Sequence, residues 1–174
     1  MDEVYQPAED SVLLGEFVKK EIGKIKTIKV LDLGSGSGIQ AQTCINSGIY
    51  PKNLTLVDIN PNSIKYLKTK FPFSKIIQSD LFDKIKDKYD LIIFNPPYLP
   101  LNIFDKELDT TGGKEGSEII NRFLEEAKNY LEDHGKILLL TSSITKGINW
   151  LDYNKELLGK KRIFFEELYV WKLS

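Results

Sequence analysis

Asn95-Pro96-Pro97-Tyr98 is the stretch of this sequence whose residue types and order are best suited to chemistry. The Asn95 side-chain oxygen and the Pro96 carbonyl are two hydrogen-bond acceptors close together, and the prolines stiffen the backbone that carries them. Such a pair could accept both hydrogens of a planar amide or exocyclic amine, while the Tyr98 ring stacks on the flat group. The tetrapeptide therefore predicts a site for a planar NH2 group, although Asn-Pro by itself is typical of an ordinary turn.

A buried strand must hold this motif in place. Leu91 to Phe94 is wholly apolar, which predicts a buried parallel strand from Tyr89 to Phe94. The prolines end strand pairing, because neither has an N–H to donate to a ladder. Asn95 is therefore expected at the carboxyl end of a central strand, the edge of an open parallel sheet at which ligands bind.

A glycine-rich loop supplies a second feature of a binding site. Lys29–Leu33 is predicted to be a strand, Gly34-Ser35-Gly36-Ser37-Gly38 follows it, and Ile39 to Ser47 is predicted to be a helix. Glycines let the backbone approach a ligand closely, and a helix N-terminus offers free N–H groups. Ile39 stands where a dinucleotide-binding loop would have its last glycine, and this spacing disfavours a Rossmann oxidoreductase.

Acidic residues end the neighbouring predicted strands. Asp58 ends Leu54–Asp58, 24 residues after Gly34, where a carboxylate can accept both hydroxyls of a ribose. Asp80 follows the strand Lys75–Ser79, and Asp32 lies in the first strand. Three strands thus bring acids to one rim of the sheet, although Asp58 could instead serve a turn or a helix cap.

The remaining elements alternate between helix and strand. Three helices are predicted: one from Pro7 to about Ile22, one capped by Asn60 and running from Pro61 to about Lys70, and one capped by Ser117 and running to about Leu131. A strand Lys136–Thr141 follows, and then a weaker helix Ile148–Leu158 ended by Gly159. The last predicted element is a hairpin of Lys161–Phe165 and Leu168–Lys172 joined by Glu166-Glu167. The irregular segment 99–116 is expected to be a binding loop or lid. Alternation predicts an α/β, doubly wound sheet in one domain, 1–174, with an N-terminal helix (1–24) and a catalytic core (29–174).

Composition narrows the class of protein. The net charge is −1 and only two of the 24 basic residues are arginine, which disfavours a nucleic-acid partner. One cysteine, Cys44, and one histidine, His134, leave no disulfide and no zinc site, so no metal is expected. Cys44 is expected in the core and His134 on the surface. No long apolar run and no signal peptide are found, and the cytoplasm is the expected compartment.

Taken together, these motifs resemble the class I S-adenosylmethionine-dependent methyltransferases. The residues that carry the resemblance are Asp32-x-Gly34-x-Gly36-x-Gly38, Asp58, Asp80-Leu81 and Asn95-Pro96-Pro97-Tyr98, and the likeness covers nearly the whole chain. It implies a Rossmann-like sheet of seven strands, mostly parallel, with an antiparallel C-terminal hairpin.

A narrower resemblance rests on the opening and on the segment after the tetrapeptide. Tyr5-Gln6-Pro7-Ala8-Glu9-Asp10-Ser11, Leu99-Pro100 and Gly112-Gly113 are similar to the catalytic subunit of archaeal and eukaryotic release-factor glutamine methyltransferases. Members of that family usually carry Glu and Thr where this chain has Gln6 and Ser11. Ser11 keeps the hydroxyl, so its contact is expected to survive. The resemblance implies N5-methylation of a protein glutamine, within the Gly-Gly-Gln motif of a translation release factor.

The resemblance also implies a role for each site residue. Ser11, Asp32, Gly34, Gly36, Asp58, Asp80, Leu81 and Asn95 would bind the cofactor, S-adenosylmethionine. Within that set, Asp32 and the glycine backbone hold the methionine part, Asp58 the ribose, and Asp80-Leu81 the adenine. Asn95, Pro96, Pro97 and Tyr98 would bind the substrate, with Asn95, Pro96 and Tyr98 as the catalytic residues.

Other functions remain open at this point. An adenine N6-methyltransferase of RNA or DNA would use the same acceptors for an exocyclic amine, but the chain has few arginines and shows no target-reading domain. A cofactor-binding scaffold without activity is disfavoured by the intact tetrapeptide.

A protein partner is also expected. Lys75–Ser79 would be an edge strand, and Phe71, Phe73 and Phe82 flank it. Apolar surface would gather there unless neighbouring helices cover these phenylalanines. The resemblance implies a small zinc-binding activator subunit at this edge, and a chain that is poorly soluble or weakly active alone.

Overall fold

Seven strands of the described residues form one mixed sheet. The computed structural model describes residues 8–23, 27–100 and 113–174. The strands lie in the order β3-β2-β1-β4-β5-β7-β6. They are β1 (Val30–Leu33), β2 (Leu54–Asp58), β3 (Lys75–Gln78), β4 (Tyr89–Phe94), β5 (Leu131–Ser142), β6 (Lys155–Ile163) and β7 (Glu166–Leu173). The first five are parallel and β7 pairs antiparallel with both β5 and β6. The predicted fold class is confirmed.

In the described part of the chain, four α-helices cover the two faces of the sheet. They are α1 (Glu9–Ile22), α2 (Ile39–Asn46), α3 (Pro61–Lys70) and α4 (Glu118–Ala127). Helices α1, α2 and α3 enclose a first core, and α4 encloses a second core on the opposite face. Alternate residues of each central strand enter different cores, which is why β1 and β2 are buried along their whole length.

The predicted bounds of the N-terminal half agree with the structure to within two residues. Asn60 caps α3 as expected, since its side chain accepts a hydrogen bond from the Asn62 amide at 2.8 Å. Cys44 is fully buried in the first core, as predicted. The helix start at Pro7 falls on 1–7, outside the described residues, and so does the 101–112 part of the predicted lid.

The predicted helix Ile148–Leu158 is wrong. Residues 147–154 form no helix, and Lys155–Ile163 is strand β6, paired with β7 along its length. Trp150 and Tyr153 have the spacing of an apolar helix face, but both pack against the sheet. The ring centroids of Trp150 and Trp171 lie 5.2 Å apart, and the Tyr153 hydroxyl donates to the Leu124 carbonyl at 2.8 Å. Packing in the folded chain therefore outweighs the helical spacing of these apolar residues. Gly159 ends no helix; it lies beside the Phe17 ring, which a β-carbon would overlap.

The hairpin exists, but its turn is two residues earlier than predicted. Ile163 pairs with Glu166, so Phe164-Phe165 forms the turn and Glu166-Glu167 belongs to β7. Phe164 adopts φ 48°, the left-handed conformation that tight hairpin turns require.

Two further boundaries differ around α4. The helix ends at Ala127, a 3-10 turn follows, and β5 begins at Leu131, five residues before the predicted strand. Ser117 precedes α4 but its side chain makes no capping hydrogen bond. Instead, the Glu118 carboxylate accepts from the Glu115 amide at 3.1 Å. His134 is exposed as predicted, although it lies within β5.

Strand β3 lies at the edge of the sheet, as predicted. The expectation that three phenylalanines expose apolar surface beside it is wrong for two of them. Phe71 is 4% exposed and packs in the first core, and Phe82 is 1% exposed and stacks on Tyr130. Phe73 is 79% exposed. Among the described residues, no helix has the length and apolar character to cross a membrane.

Candidate active site

A cavity of about 260 Å³ opens at the carboxyl ends of the parallel strands, beside the start of α1. All of the site residues predicted from the sequence line it. They are Ser11, Asp32, Gly34, Gly36, Asp58, Asp80, Leu81, Asn95, Pro96, Pro97 and Tyr98. The sheet brings most of them together because they follow or end parallel strands, and such ends share one rim.

The glycine loop is fastened to strand β2. The Ser35 amide donates to the Val57 carbonyl at 2.9 Å, and the Val57 amide donates to Ser35 Oγ at 3.1 Å. Gly38 has φ 73°, and a β-carbon there would overlap the Phe71 ring. Glycine is therefore required at Gly38 for both conformation and space.

Asp58 is part of this loop as well as of the cavity wall. Its Oδ2 accepts from the Gly36 amide at 2.7 Å and its Oδ1 from the Asn60 amide at 2.8 Å, and the residue is 8% exposed. The turn role that the sequence left open is therefore real. Each carboxylate oxygen has a further lone pair, so the carboxylate can still accept from a ligand hydroxyl.

Asp32 is the most perturbed acid in the cavity. It is 3% exposed, and its Oδ2 has no hydrogen-bond partner among the described residues. Burial raises the pKa of Asp32 to about 7, and the nearby Asp58 charge adds to the rise, whereas hydrogen bonds from the Ala41 amide and Ser35 oppose it. A cation next to Oδ2 would satisfy this oxygen and favour the ionised carboxylate.

The Asn95 amide is held by the first turn of α1. Its Nδ2 donates to Asp10 Oδ2 at 3.1 Å and lies 3.4 Å from Ser11 Oγ. Its Oδ1 is buried with no hydrogen-bond partner among the described residues. Asn95 therefore keeps one acceptor for a ligand.

Sequence reasoning missed Asp10 and Gln40. In the sequence, Asp10 was only one residue of the opening motif, yet it is 5% exposed. A signal was present, because Asp10 lies three and four residues before Leu13 and Leu14, on the apolar stripe of the helix. Gln40 Nε2 donates to the Ser11 carbonyl at 2.8 Å, and its buried Oε1 has no partner among the described residues.

The far end of the cavity lies between β2 and the Asp80-Leu81 turn. Asp80 pairs with Arg122 at 3.0 Å, and Leu81 adopts φ 40°, which is rare for a leucine. The Ile59 side chain, 63% exposed, lines the same end. This apolar slot with one carboxylate suits a flat ring that carries an NH2 group.

The tetrapeptide occupies the opposite end. Pro96 is buried, and the Tyr98 carbonyl accepts from Thr145 Oγ1 at 2.8 Å, which ties the motif to the segment after β5. The Tyr98 ring packs partly against both cores. These contacts add to the restraint that the two prolines place on the backbone.

The polar groups that line the cavity favour a cationic ligand. Four carboxylates line it, from Asp10, Asp32, Asp58 and Asp80, and no lysine or arginine is among its described lining residues. The acceptors without partners, on Asp32, Gln40 and Asn95, add to this preference. S-adenosylmethionine, with its sulfonium and ammonium groups, fits these residues.

Comparison with known proteins identifies the family to which the chain is similar. The profile of the methyltransferase small domain matches residues 9–157. A protein of Methanocaldococcus jannaschii named for N5-glutamine methyltransferase activity is 36% identical, over 98% of this chain and 93% of that protein. A release factor glutamine methyltransferase of Rhodopirellula baltica is 32% identical over 69% of this chain, and the match spans 46% of that longer protein.

A solved structure has the same fold. The S-adenosylmethionine-dependent methyltransferase of Bacteroides fragilis, in complex with S-adenosylhomocysteine, gives a TM-score of 0.60 at 18% identity, over 99% of this chain and 79% of that one. The likeness in fold agrees with the predicted sheet. With the profile match and the 36% identical relative, these findings show that the chain belongs to the methyltransferase small domain family.

Proposed function

We propose that this chain transfers a methyl group from S-adenosylmethionine to the side-chain amide nitrogen of a protein glutamine, in a translation release factor. The observation that carries the proposal is Asn95, whose Nδ2 is held by Asp10 while its Oδ1 stays buried without a partner among the described residues. An acceptor so fixed, beside the Pro96 carbonyl, suits a planar NH2 group. Two relatives named for glutamine methylation support this choice of substrate.

The residues that line the cavity divide between cofactor and substrate. Asp32 and the glycine loop receive the methionine part, and Asp58 receives the ribose hydroxyls. Asp80, Leu81 and Ile59 enclose the adenine. When bound, S-adenosylmethionine supplies an electrophilic methyl group on sulfur. Ser11 contributes from α1, and Asn95 lies between the two ligands.

Positioning is the main contribution of the protein. An amide nitrogen is a weak nucleophile, because its lone pair is delocalised into the carbonyl. Asn95 Oδ1 and the Pro96 carbonyl accept its two hydrogens and orient the lone pair towards the methyl group. As the nitrogen–carbon bond forms, the bond between sulfur and the methyl group breaks, and the nitrogen loses one of its two protons to solvent. Fixing two reactants in this way contributes about 7–11 kcal/mol in favourable cases. The Tyr98 ring holds the amide plane.

A labelled-methyl transfer assay tests this function. The purified chain is incubated with S-adenosylmethionine and a release factor carrying Gly-Gly-Gln, beside the same factor with that glutamine changed to alanine. Label on the first protein alone, mapped to the glutamine by mass spectrometry, is the expected result. Label on RNA or DNA controls, with none on the release factor, would contradict the glutamine assignment in favour of an adenine substrate.

We also propose that a small zinc-binding activator subunit covers strand β3. The resemblance found in the sequence suggests this partner, and the exposed edge supports it: Phe73 is 79% exposed, and Ile76 and Ile77 are half-buried on a strand that pairs on one side only. An edge strand of this kind can be extended by a strand of another chain. Because release factors act in translation, the proposed enzyme works in the cytoplasm.

Co-expression with small zinc proteins of the same genome tests the partner. Ile77→Lys should abolish co-purification, because it places a charge on the proposed interface. Leu157→Lys is the matched control, since Leu157 is 43% exposed on β6, at the opposite edge. A soluble, fully active chain whose activity is unaffected by Ile77→Lys would exclude the subunit.

A further inference from the structure

Asp10 is a buried carboxylate in contact with Asn95, the proposed catalytic residue. It lies in the first turn of α1, is 5% exposed, and stands on the stripe that packs into the first core. Burying a carboxylate is costly unless hydrogen bonds compensate it. The Ser11 amide donates to its Oδ1, and Asn95 Nδ2 donates to its Oδ2 at 3.1 Å. The contact with Asn95 joins residues 85 positions apart in the chain.

An asparagine side chain can adopt two orientations that exchange its oxygen and its NH2 group. In the observed orientation, Nδ2 donates to the Asp10 carboxylate, and Oδ1 has no hydrogen-bond partner among the described residues. In the reversed orientation, Oδ1 would face a carboxylate oxygen, and two acceptors would meet with no proton between them. Ser11 Oγ lies 3.4 Å from Nδ2 but does not distinguish the two orientations of the Asn95 amide, because a hydroxyl can both donate and accept.

We infer that Asp10 is a positioning residue, which fixes the Asn95 amide so that its oxygen faces the substrate nitrogen. The inference rests on the proposed function, since it gives Asn95 the task of accepting from a substrate NH2 group. Gln40 supports the arrangement, because its Nε2 donates to the Ser11 carbonyl and thereby links the start of α1 to α2. Catalysis therefore depends on the docking of a helix outside the sheet.

Substitution of Asp10 should lower turnover rather than binding. Asp10→Ala should reduce kcat at least tenfold, with KM for the protein substrate changed less than threefold. The affinity for S-adenosylmethionine should fall by a smaller factor than kcat, because Asp10 is only one of the four carboxylates that line the cavity. The kcat of Asp10→Asn should lie between those of Asp10→Ala and the natural chain, because a single amide oxygen must accept from both the Ser11 amide and Asn95 Nδ2. Glu9→Ala is the matched control: Glu9 is the adjacent acid of the same turn, is exposed, and pairs with Lys161 at 3.0 Å. It should keep the kcat of the natural chain.

Exchange of the two residues gives a sharper test. Asn95→Asp alone would place two carboxylates against each other and should be nearly inactive. Asp10→Asn together with Asn95→Asp restores a donor facing an acceptor and leaves one oxygen of the introduced carboxylate towards the substrate. The double variant should exceed Asn95→Asp at least tenfold in kcat. No recovery, or an equal loss of cofactor affinity in Asp10→Ala, would overturn the inference in favour of a general loss of structure.

A measurement without turnover separates this inference from the proposed function. In 15N-labelled protein, the Asn95 side-chain NH2 signals are identified by their loss in Asn95→Ala. In Asp10→Ala, these hydrogens should exchange with water at least tenfold faster than in the natural chain. Unchanged exchange would overturn the positioning role even if the enzyme methylates glutamine. If exchange is faster in Asp10→Ala but the natural chain transfers no methyl group to glutamine, the positioning role of Asp10 is supported and glutamine is refuted as the substrate.

Discussion

Replacing Asp32 with asparagine should stabilise the folded chain at neutral and alkaline pH, although it damages the site. Asp32 is 3% exposed, with one carboxylate oxygen lacking a partner among the described residues. Asparagine has nearly the same shape and no charge. It keeps an oxygen for the Ala41 amide, and it resembles the protonated form of the natural residue.

The magnitude follows from the pKa. Burial raises the pKa of Asp32 from 3.8 to about 7. Between these values the folded state holds a proton that the unfolded state has lost, so the free energy of unfolding falls as pH rises. A shift of roughly 3 units corresponds to ~4 kcal/mol at 1.36 kcal/mol per unit. This cost of ionised Asp32 is absent below about pH 4, grows to about pH 7, and is complete above it.

Chemical denaturation at several pH values, without cofactor, measures this difference. The Asp32→Asn variant should match the natural chain near pH 4 and exceed it by up to ~4 kcal/mol at pH 8, or by about 8–16 °C in Tm. Asp133→Asn, at an exposed position on β5, is the control for loss of a negative charge. A stability difference that does not change between pH 4 and pH 8 would refute the buried-charge reasoning.

The same titration should appear in cofactor binding. If the ammonium group of S-adenosylmethionine lies against Asp32 Oδ2, it needs the ionised carboxylate. The affinity of the natural chain should therefore rise with pH between about 6 and about 8, because the pKa of Asp32 before binding is about 7. In calorimetry, Asp32→Asn should bind the cofactor more weakly and lose this dependence. A natural chain with a flat profile would exclude contact between the cation and Asp32.

Three further substitutions test other parts of the site. Asp58→Ala should weaken cofactor binding at least tenfold in calorimetry, since hydrogen bonds to a charged acceptor contribute ~1.5–3 kcal/mol each. It should also lower Tm, because the Gly36 amide loses its partner; unchanged affinity would disprove the ribose contact. Asn95→Ala should abolish methyl transfer and leave cofactor affinity largely intact, and robust turnover would refute the mechanism. Gly38→Ala should destabilise the chain by about 1–3 kcal/mol more than Gly23→Ala in denaturant. Both glycines have positive φ, but nothing lies within 4 Å of a β-carbon at Gly23, so equal effects would argue against the overlap at Gly38.

The parallel half of the sheet and the contents of the cavity could be predicted from the sequence. Strands β2 and β4 have the predicted bounds, and α3 ends where expected. Their signals are local: apolar runs of strand length, a glycine loop, an Asn-Pro cap, and prolines that stop pairing. Because parallel strands end at one rim, these local signals were sufficient to bring Asp32, Asp58 and Asn95 into one cavity.

The C-terminal half was less predictable, because its structure depends on partners that are distant in sequence. Residues 148–158 carry apolar side chains at helical spacing, and only pairing with β7 and burial beneath the sheet exclude the helix. Likewise, Phe71 and Phe82 flank an edge strand in sequence, but the two cores enclose them. A local pattern cannot show which surface will be covered by a later segment.

Which groups reach the rim of the sheet can be predicted from the sequence, since strand ends and turn residues are encoded locally. The orientation and charge of those groups depend on contacts that form only in the folded chain. Asp10 meets Asn95 across 85 residues and sets its amide, and the Gly36 amide occupies one oxygen of Asp58. The pKa of Asp32 is raised to about 7 by the surroundings that bury it. Orientation and pKa depend on the sum of neighbours from several segments, and that sum exists only once the chain has folded.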